Sequence, residues 1–150
     1  MCFLGEYEVT LDSKGRFLLP VGIKKQMPEG EGDRFVISRG FEKCLTLYPL
    51  SSWTPIFERL SKLNDFDPRV REFRRFFLNG AIEVELDSAG RLLIPKNLAE
   101  HAGLQKDVVL VSALSKLEIW AKEAHTKFFE AYSMDAFSDL AAAVMAPPES

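Results

Sequence analysis

The sequence has few of the residues that build metal centres or disulfide scaffolds, and no long apolar segment. Its 150 residues include two cysteines and two histidines, too few for a disulfide framework or a zinc site. No apolar run approaches the ~20 residues that cross a bilayer. The amino-terminal residues carry no basic leader, so we expect no signal peptide and a reducing cytoplasm. We therefore predict a globular protein that uses no metal, no cofactor and no membrane.

The net charge is also small, but the charged residues are unevenly distributed along the chain. The net charge is −3, which by itself disfavours a nucleic-acid binder, yet residues 1–80 sum to +2 and residues 81–150 to −5. Local charge, rather than the total, sets the field that a polyanion meets. Two stretches are basic, one holding Lys14, Arg16, Lys24 and Lys25, the other holding Arg69, Arg71, Arg74 and Arg75. We interpret the second as a solvated helix face or a surface that pairs with acids of a neighbouring subunit.

What the sequence does contain is an internal repeat. Residues 8–20 and 83–95 are identical at most positions, with a constant offset of 75. Looser similarity continues between 33–37 and 107–111, and between 44–48 and 116–120. We therefore predict two copies of one unit, at 5–51 and 80–123. Helices at 52–79 connect the copies, and a helix and tail at 124–150 follow the second.

Each unit has the pattern β-turn-β-α-β-β. The turn in the first copy is formed by Asp12 and Gly15, because Asp accepts hydrogen bonds from backbone N–H groups and Gly accepts a positive φ. Asp87 and Gly90 repeat it in the second copy. A unit of about 45 residues buries too little surface to be stable alone. We expect the two copies to pair about a pseudo-twofold axis and share one core, in an α+β fold.

Helix signals follow each unit. Pro20 and Pro95 open short helices that end near 27 and 102. Ser51 or Ser52 caps the next helix, and Asp67 with Pro68 begins another. After the second unit, residues 121–132 form a helix, the alanines at 141–143 add at least a turn, and 146–150 are a frayed tail.

The most informative residues are the arginines that end the two turns. Arg16 and Arg91 each follow a glycine at the lip of a hairpin. One interpretation is a salt bridge to the Asp four residues earlier, which contributes little when exposed. The other is that the turn presents a guanidinium to guanine or phosphate. The first copy adds Lys14 where the second has Ala89, so we expect the first to bind phosphate more strongly.

Two other classes of function stay open. A protein-interaction module of the antitoxin type would use the same fold. An aspartic hydrolase would place one carboxylate, Asp12 or Asp87, in each half. The hydrolase is disfavoured because Gly follows each Asp by three residues instead of two, and because an adjacent arginine lowers a carboxyl pKa.

Together, five segments make the chain resemble the MraZ family over residues 1–130. They are 3–7, 11–16, 48–50, 74–77 and 91–95. The resemblance implies two tandem SpoVT/AbrB-like swapped-hairpin units that form a pseudo-twofold β-barrel core with flanking helices.

The resemblance also implies a function. A family member is a bacterial, non-enzymatic transcriptional regulator that binds direct repeats of double-stranded DNA in the promoter of the cell-division and cell-wall gene cluster. It acts at the nucleoid as a closed homo-oligomeric ring and takes no small-molecule substrate. The family's DNA-contact signature, Asp-x-x-x-Arg, matches Asp12 to Arg16 and Asp87 to Arg91. Ala89 departs from the basic residue of that pattern.

Overall fold

A computed structural model describes residues 2–148 of the chain. Met1 and the last two residues of the predicted tail, Glu149 and Ser150, lie outside the described residues. The strands are β1 (Glu6–Thr10), β2 (Arg16–Leu18), β3 (Arg34–Arg39), β4 (Leu45–Pro49), β5 (Ile82–Glu85), β6 (Arg91–Leu93), β7 (Asp107–Ala113) and β8 (Lys116–Ala121). The helices are α1 (Val21–Lys24), α2 (Leu50–Ser61), α3 (Pro68–Phe77), α4 (Lys96–His101), α5 (Lys122–Glu130) and α6 (Met134–Met145).

The strands form two antiparallel sheets, to which both repeats contribute. The larger sheet has the order β1-β7-β8-β4-β3-β5, and β2 pairs with β6 in a separate two-stranded ribbon. The first strand of each repeat pairs with the other repeat, since β1 lies beside β7 and β5 beside β3. The α+β class is therefore confirmed. The predicted closed barrel is not confirmed, because within residues 2–148 β1 and β5 are edge strands of the large sheet and the ribbon does not connect them.

Strand register defines the pseudo-twofold axis. Phe17 lies opposite Leu92 in the ribbon, and Thr46 lies opposite Glu118 in the large sheet. Register also corrects the predicted alignment of β3 with β7 by one residue. Phe35 pairs with Val84 on the first strand of the second repeat, and Val108 pairs with Val9 on the first strand of the first repeat. Phe35 therefore corresponds to Val108. A one-residue slip would turn every core side chain to the opposite face.

One hydrophobic core lies between the repeats and is built from equivalent side chains. Phe17 and Leu92, and likewise Ile23 and Leu98, are almost completely buried in it. Burying each such side chain stabilises the fold by about 1.5–3 kcal/mol. Because each repeat supplies half of these residues, neither repeat has a complete core alone, as its length predicts.

The helices depart from the predictions at three places. The first predicted helix extends only to Lys24, and the chain continues in tighter turns because the residue before Pro28 avoids helical geometry. Helix α2 begins at Leu50 after Pro49 without a side-chain cap, and Ser51 instead donates a hydrogen bond to Glu31. The alanine segment belongs to a full three-turn helix, α6, capped by Ser133. No helix in the described chain is both long and apolar enough to cross a membrane.

Candidate nucleic-acid interface

The turn between β1 and β2 is organised by one carboxylate. Asp12 Oδ1 accepts hydrogen bonds from the backbone N–H groups of Lys14 and Arg16, both at 2.9 Å. Asp12 Oδ2 accepts from Arg16 Nε at 2.8 Å. Gly15 has φ +82°, a left-handed conformation that glycine adopts without strain. The single Asp side chain thus fixes both the backbone of the turn and the direction of the guanidinium.

The second turn has the same geometry. Asp87 Oδ1 accepts from the backbone N–H groups of Ala89 and Arg91 at 2.9 Å. Asp87 Oδ2 accepts from Arg91 Nε at 2.9 Å, and Gly90 has φ +80°. Two segments that are 75 residues apart therefore hold an arginine in the same way.

The ribbon couples the two turns. Arg16 lies opposite Leu93 and Arg91 lies opposite Leu18, on either side of the central Phe17–Leu92 pair. Backbone bonds extend the pairing, since Ile94 N donates to Gly15 O and Leu19 N donates to Gly90 O. The arginines therefore occupy symmetry-related positions on one small, hydrogen-bonded element.

Both guanidinium groups reach the surface. The side chains of Arg16 and Arg91 are 27% and 37% exposed. Each uses Nε for its Asp, and its terminal amino groups make no hydrogen bond to any other side chain or backbone group of residues 2–148. Those amino groups are therefore available to a bidentate acceptor such as a phosphate or the guanine edge.

The carboxylates of the turns are held in their charged form. The pKa of Asp12 lies below its ordinary value, chiefly because the backbone N–H of Arg16 donates to it, with further lowering by the Arg16 side chain. The pKa of Asp87 is lowered in the same way by the backbone N–H and side chain of Arg91. A shared proton, as in an aspartic dyad, needs one raised pKa. The geometry therefore favours Asp as a tether for arginine.

The ribbon also exposes two apolar side chains that are not among the predicted site residues. Leu18 and Leu93 are about half exposed, and each lies directly opposite one of the two arginines in the register. The sequence could have predicted this exposure. Successive side chains of a strand point to opposite faces, so in residues 16–18 and 91–93 the outer two face away from the buried central one. Lys14 is exposed beside the first turn, where Ala89 stands beside the second.

The second basic stretch lies on α3. Arg69 pairs with Asp67 at 2.9 Å, Arg74 pairs with Asp65, and Arg71 donates to the backbone carbonyl of Asp65. Arg75 is exposed and has no ion pair among the described residues. The structure does not bring this stretch onto the ribbon.

One grouping of potential metal ligands was not predicted. The side chains of Glu42, Cys44 and Glu118 offer ligand atoms within 4.8 Å of one another. Burial, followed by the charges of Glu118 and Glu42, raises the pKa of the Cys44 thiol to about 12. A thiol that stays protonated is a poor metal ligand, because metals bind the thiolate.

The fold and the paired turns define a class of protein, a tandem-repeat α+β protein with one arginine-bearing turn in each repeat. A family profile described as "MraZ protein, putative antitoxin-like" matches residues 2–76 and again residues 77–145. The chain belongs to the MraZ family.

Similar proteins from three bacteria share the family name. A protein of Cytophaga hutchinsonii is 43% identical over 97% of this chain and 95% of its own length. One of Clostridium beijerinckii is 44% identical over 85% of this chain and 87% of its own length. One of Christiangramia forsetii is 43% identical over 95% of this chain and 92% of its own length. All three are named transcriptional regulator MraZ, which supports transcription regulation as the function class.

Proposed function

We propose that this protein is a sequence-specific transcriptional regulator that binds double-stranded DNA through the β2–β6 ribbon. The observation that carries the proposal is the matched pair of Asp-tethered arginines, Arg16 and Arg91, on adjacent strands. A pre-oriented guanidinium binds guanine or phosphate with little loss of conformational entropy. Lys14 adds a phosphate contact in the first repeat, and Leu18 and Leu93 are placed to touch thymine methyl groups or sugars.

The resemblance to the family supplies the finer part of the proposal. The target is a set of direct repeats in the promoter of the cell-division and cell-wall gene cluster, and a homo-oligomeric ring reads several repeats at once. Such a protein acts at the nucleoid in the cytoplasm, without a cofactor or a small-molecule substrate. A subunit with a negative net charge is expected to bind DNA weakly by itself. Multivalent binding compensates for this, because each contact after the first is intramolecular, at an effective concentration of roughly millimolar.

A gel shift on the DNA upstream of the protein's own gene, at stated salt, tests the proposal. We expect Arg16→Ala and Arg91→Ala each to weaken specific binding by roughly tenfold or more, since one bidentate base contact contributes ~1–3 kcal/mol. Arg69→Ala is the matched control, because it also removes an arginine paired with a nearby Asp. Unchanged affinity of a folded Arg16→Ala, Arg91→Ala protein would contradict the proposal.

The multivalent part has its own measurement. Fragments that carry one, two or three direct repeats are compared at the same salt concentration. We expect the apparent affinity to rise with each added repeat. Equal affinity for all three fragments would reject avidity while leaving the contact at the ribbon intact.

A second candidate is favoured by the words "antitoxin-like" in the description of the matching family profile. In that case the protein binds a protein partner through the same surface. Co-purification of a tight partner whose capture depends on Arg16, together with no DNA shift, would favour this candidate. Peptide cleavage at acid pH that Asp12→Asn abolishes would instead favour the hydrolase, which the lowered pKa values of both carboxylates oppose.

A further inference from the structure

The two repeats hold the residue that precedes their first strand in different ways. Leu4 and Asn79 are equivalent at the offset of 75, and each is followed by a glycine with a positive φ, +107° in the first repeat and +80° in the second. Their partners occupy positions with the same offset, Gln26 just after α1 and His101 at the end of α4. An amide therefore stands in one half where an imidazole stands in the other.

In the first repeat the amide binds the chain directly. Gln26 Oε1 accepts from the backbone N–H of Leu4 at 2.9 Å, and Gln26 Nε2 donates to the carbonyl of Leu4 at 3.1 Å. The same Nε2 donates to the carbonyl of Gly22 at 3.0 Å and to the Tyr7 hydroxyl at 3.3 Å. A side-chain amide does not titrate, so the hydrogen bonds of Gln26 do not depend on its protonation.

In the second repeat an arginine lies between the imidazole and the chain. Arg39, the last residue of β3, donates from Nε to the carbonyl of Asn79 at 3.1 Å, and its Nη1 lies 3.3 Å from His101 Nδ1. Because a guanidinium can only donate, Nδ1 must be the acceptor, and the ring is neutral with its proton on Nε2. Protonation of Nδ1 would remove this acceptor and place two cations at hydrogen-bond distance.

The surroundings of His101 oppose a positive charge on its ring. Burial lowers the pKa of His101, and the cations Arg39 and Lys43 lower it further. Lys43 belongs to the loop between β3 and β4, and its ammonium lies against Gly103, just after α4. Elements from both sides of α4 therefore bring positive charge to the imidazole.

No carboxylate compensates for these two cations. Among the ion pairs of residues 2–148, none involves His101 or Arg39. Glu42, on the same loop as Lys43, lies with Cys44 and Glu118 instead. Glu100, the neighbour of His101 on α4, is exposed, and the turn at 78–81 has no titratable side chain.

We propose that His101 and Arg39 form a pH-sensitive contact that holds the junction between α3 and β5, and that protonation of His101 releases it. Asn79 lies in this junction, where the connecting helices attach to the second repeat. The contact joins the two repeats, since Arg39 belongs to β3 of the first and His101 to α4 of the second. Acid therefore loosens the junction at Asn79 while Gln26 continues to hold Leu4.

The lowered pKa of His101 sets the pH range of the release. An unperturbed histidine has a pKa of about 6.5, so the open junction takes up a proton at a higher pH than the closed one. The contact is complete above pH ~6.5 and is lost as the pH falls through the lower folded value. The carboxylates of the two turns titrate below pH ~4, so a comparison of about pH 7.5 with about pH 5 reports on histidine.

Amide hydrogen exchange measured by NMR tests the proposal. Protection factors, which are corrected for the intrinsic effect of pH on exchange, are compared at the two pH values for residues 79–82 and 4–7. We expect protection at 79–82 to fall by about two- to tenfold in acid, as the loss of one hydrogen bond predicts, and protection at 4–7 not to fall. Unchanged protection at 79–82, or an equal loss in both segments, would overturn the proposal.

His101→Gln gives the second repeat the amide of the first. Because glutamine accepts from Arg39 at either pH, we expect protection at 79–82 to stay high at both. His125→Gln is the matched control, since it removes the other histidine, whose Nε2 lies 3.5 Å from Glu6, and it should keep the pH dependence at 79–82. A pH dependence that survives His101→Gln, or that His125→Gln abolishes, would contradict the assignment to His101.

Arg39→Ala tests the arginine by a separate measurement, the titration of the His101 ring followed by NMR. We expect the pKa of His101 to rise toward its ordinary value, since a nearby cation is removed, and protection at 79–82 to be low at both pH values. An unchanged His101 titration in the folded variant would overturn the proposal. These measurements use no DNA, so their outcome is independent of the gel shifts that test the proposed function.

Discussion

Phe17 and Leu92 face each other at the centre of the β2–β6 ribbon, on the pseudo-twofold axis. Both side chains are about 1% exposed, whereas their neighbours along each strand reach the surface. The pair therefore anchors the ribbon in the shared core while the arginines on either side point outward. Because side chains alternate between the two faces of a strand, the central residue of each three-residue strand packs in the core and its two neighbours form the candidate site.

Truncation of this anchor will destabilise the whole domain. Phe17→Ala removes a buried ring from a core to which both repeats contribute, so we expect the free energy of unfolding to fall by about 3–5 kcal/mol. The measurement is urea denaturation followed by circular dichroism. Leu18→Ala, one residue away and mostly exposed, is the control and should cost under about 1 kcal/mol. If Phe17→Ala does not fold, Phe17→Leu should give a smaller loss. Equal losses at positions 17 and 18 would show that the ribbon is not anchored as described.

The sequence predicts the geometry of the two turns better than it predicts the fold around them. The two turns follow from local chemistry, because Asp12 and Gly15 determine the turn wherever the chain runs. The exchange of strands between repeats depends on contacts distant in sequence, which periodicity does not report. The alignment of Phe35 failed by one residue because the segment between Pro20 and β3 is two residues longer than the equivalent segment between Pro95 and β7, and no motif marks the change.

The extent of α6 was also underestimated, for a physical reason. A helix that packs on its own domain shows a contrast between apolar and polar faces. Helix α6 has a weak contrast because alanines occupy 141–143 on all sides. Only Ser133, whose side chain accepts from the backbone N–H of Ala136 at 3.0 Å, marks its start.

Acid will weaken the turns in a defined pH range. The folded pKa values of Asp12 and Asp87 lie below the ordinary value, which is about 3.9 in an unfolded chain. Each carboxylate thus contributes stability that is present above pH ~4 and is lost as the pH falls through the lower folded value. We expect the stability difference between the wild type and Asp12→Asn, Asp87→Asn to be largest near neutral pH and to shrink below pH ~4.

The measurement for this prediction is urea denaturation at a series of pH values from 6 to about 3. Asp65→Asn is a suitable control, because its carboxylate is mostly exposed. A difference between wild type and double variant that stays constant over the whole series would contradict the role of the two carboxylates as charged tethers.

The unequal turns predict an unequal response to salt. Lys14 is exposed beside Arg16, and Ala89 holds the equivalent place beside Arg91. A lysine that contacts phosphate releases one counterion, so its removal lowers the slope of log affinity against log salt by about one for each subunit engaged. We expect Lys14→Ala to weaken binding to all DNA sequences alike and to reduce the slope. Ala89→Lys should increase the slope and strengthen binding, because it gives the second turn the cation that the first already has. Gel shifts at several salt concentrations, on specific and unrelated DNA, measure both effects. A slope that neither variant changes would place both turns away from the DNA backbone.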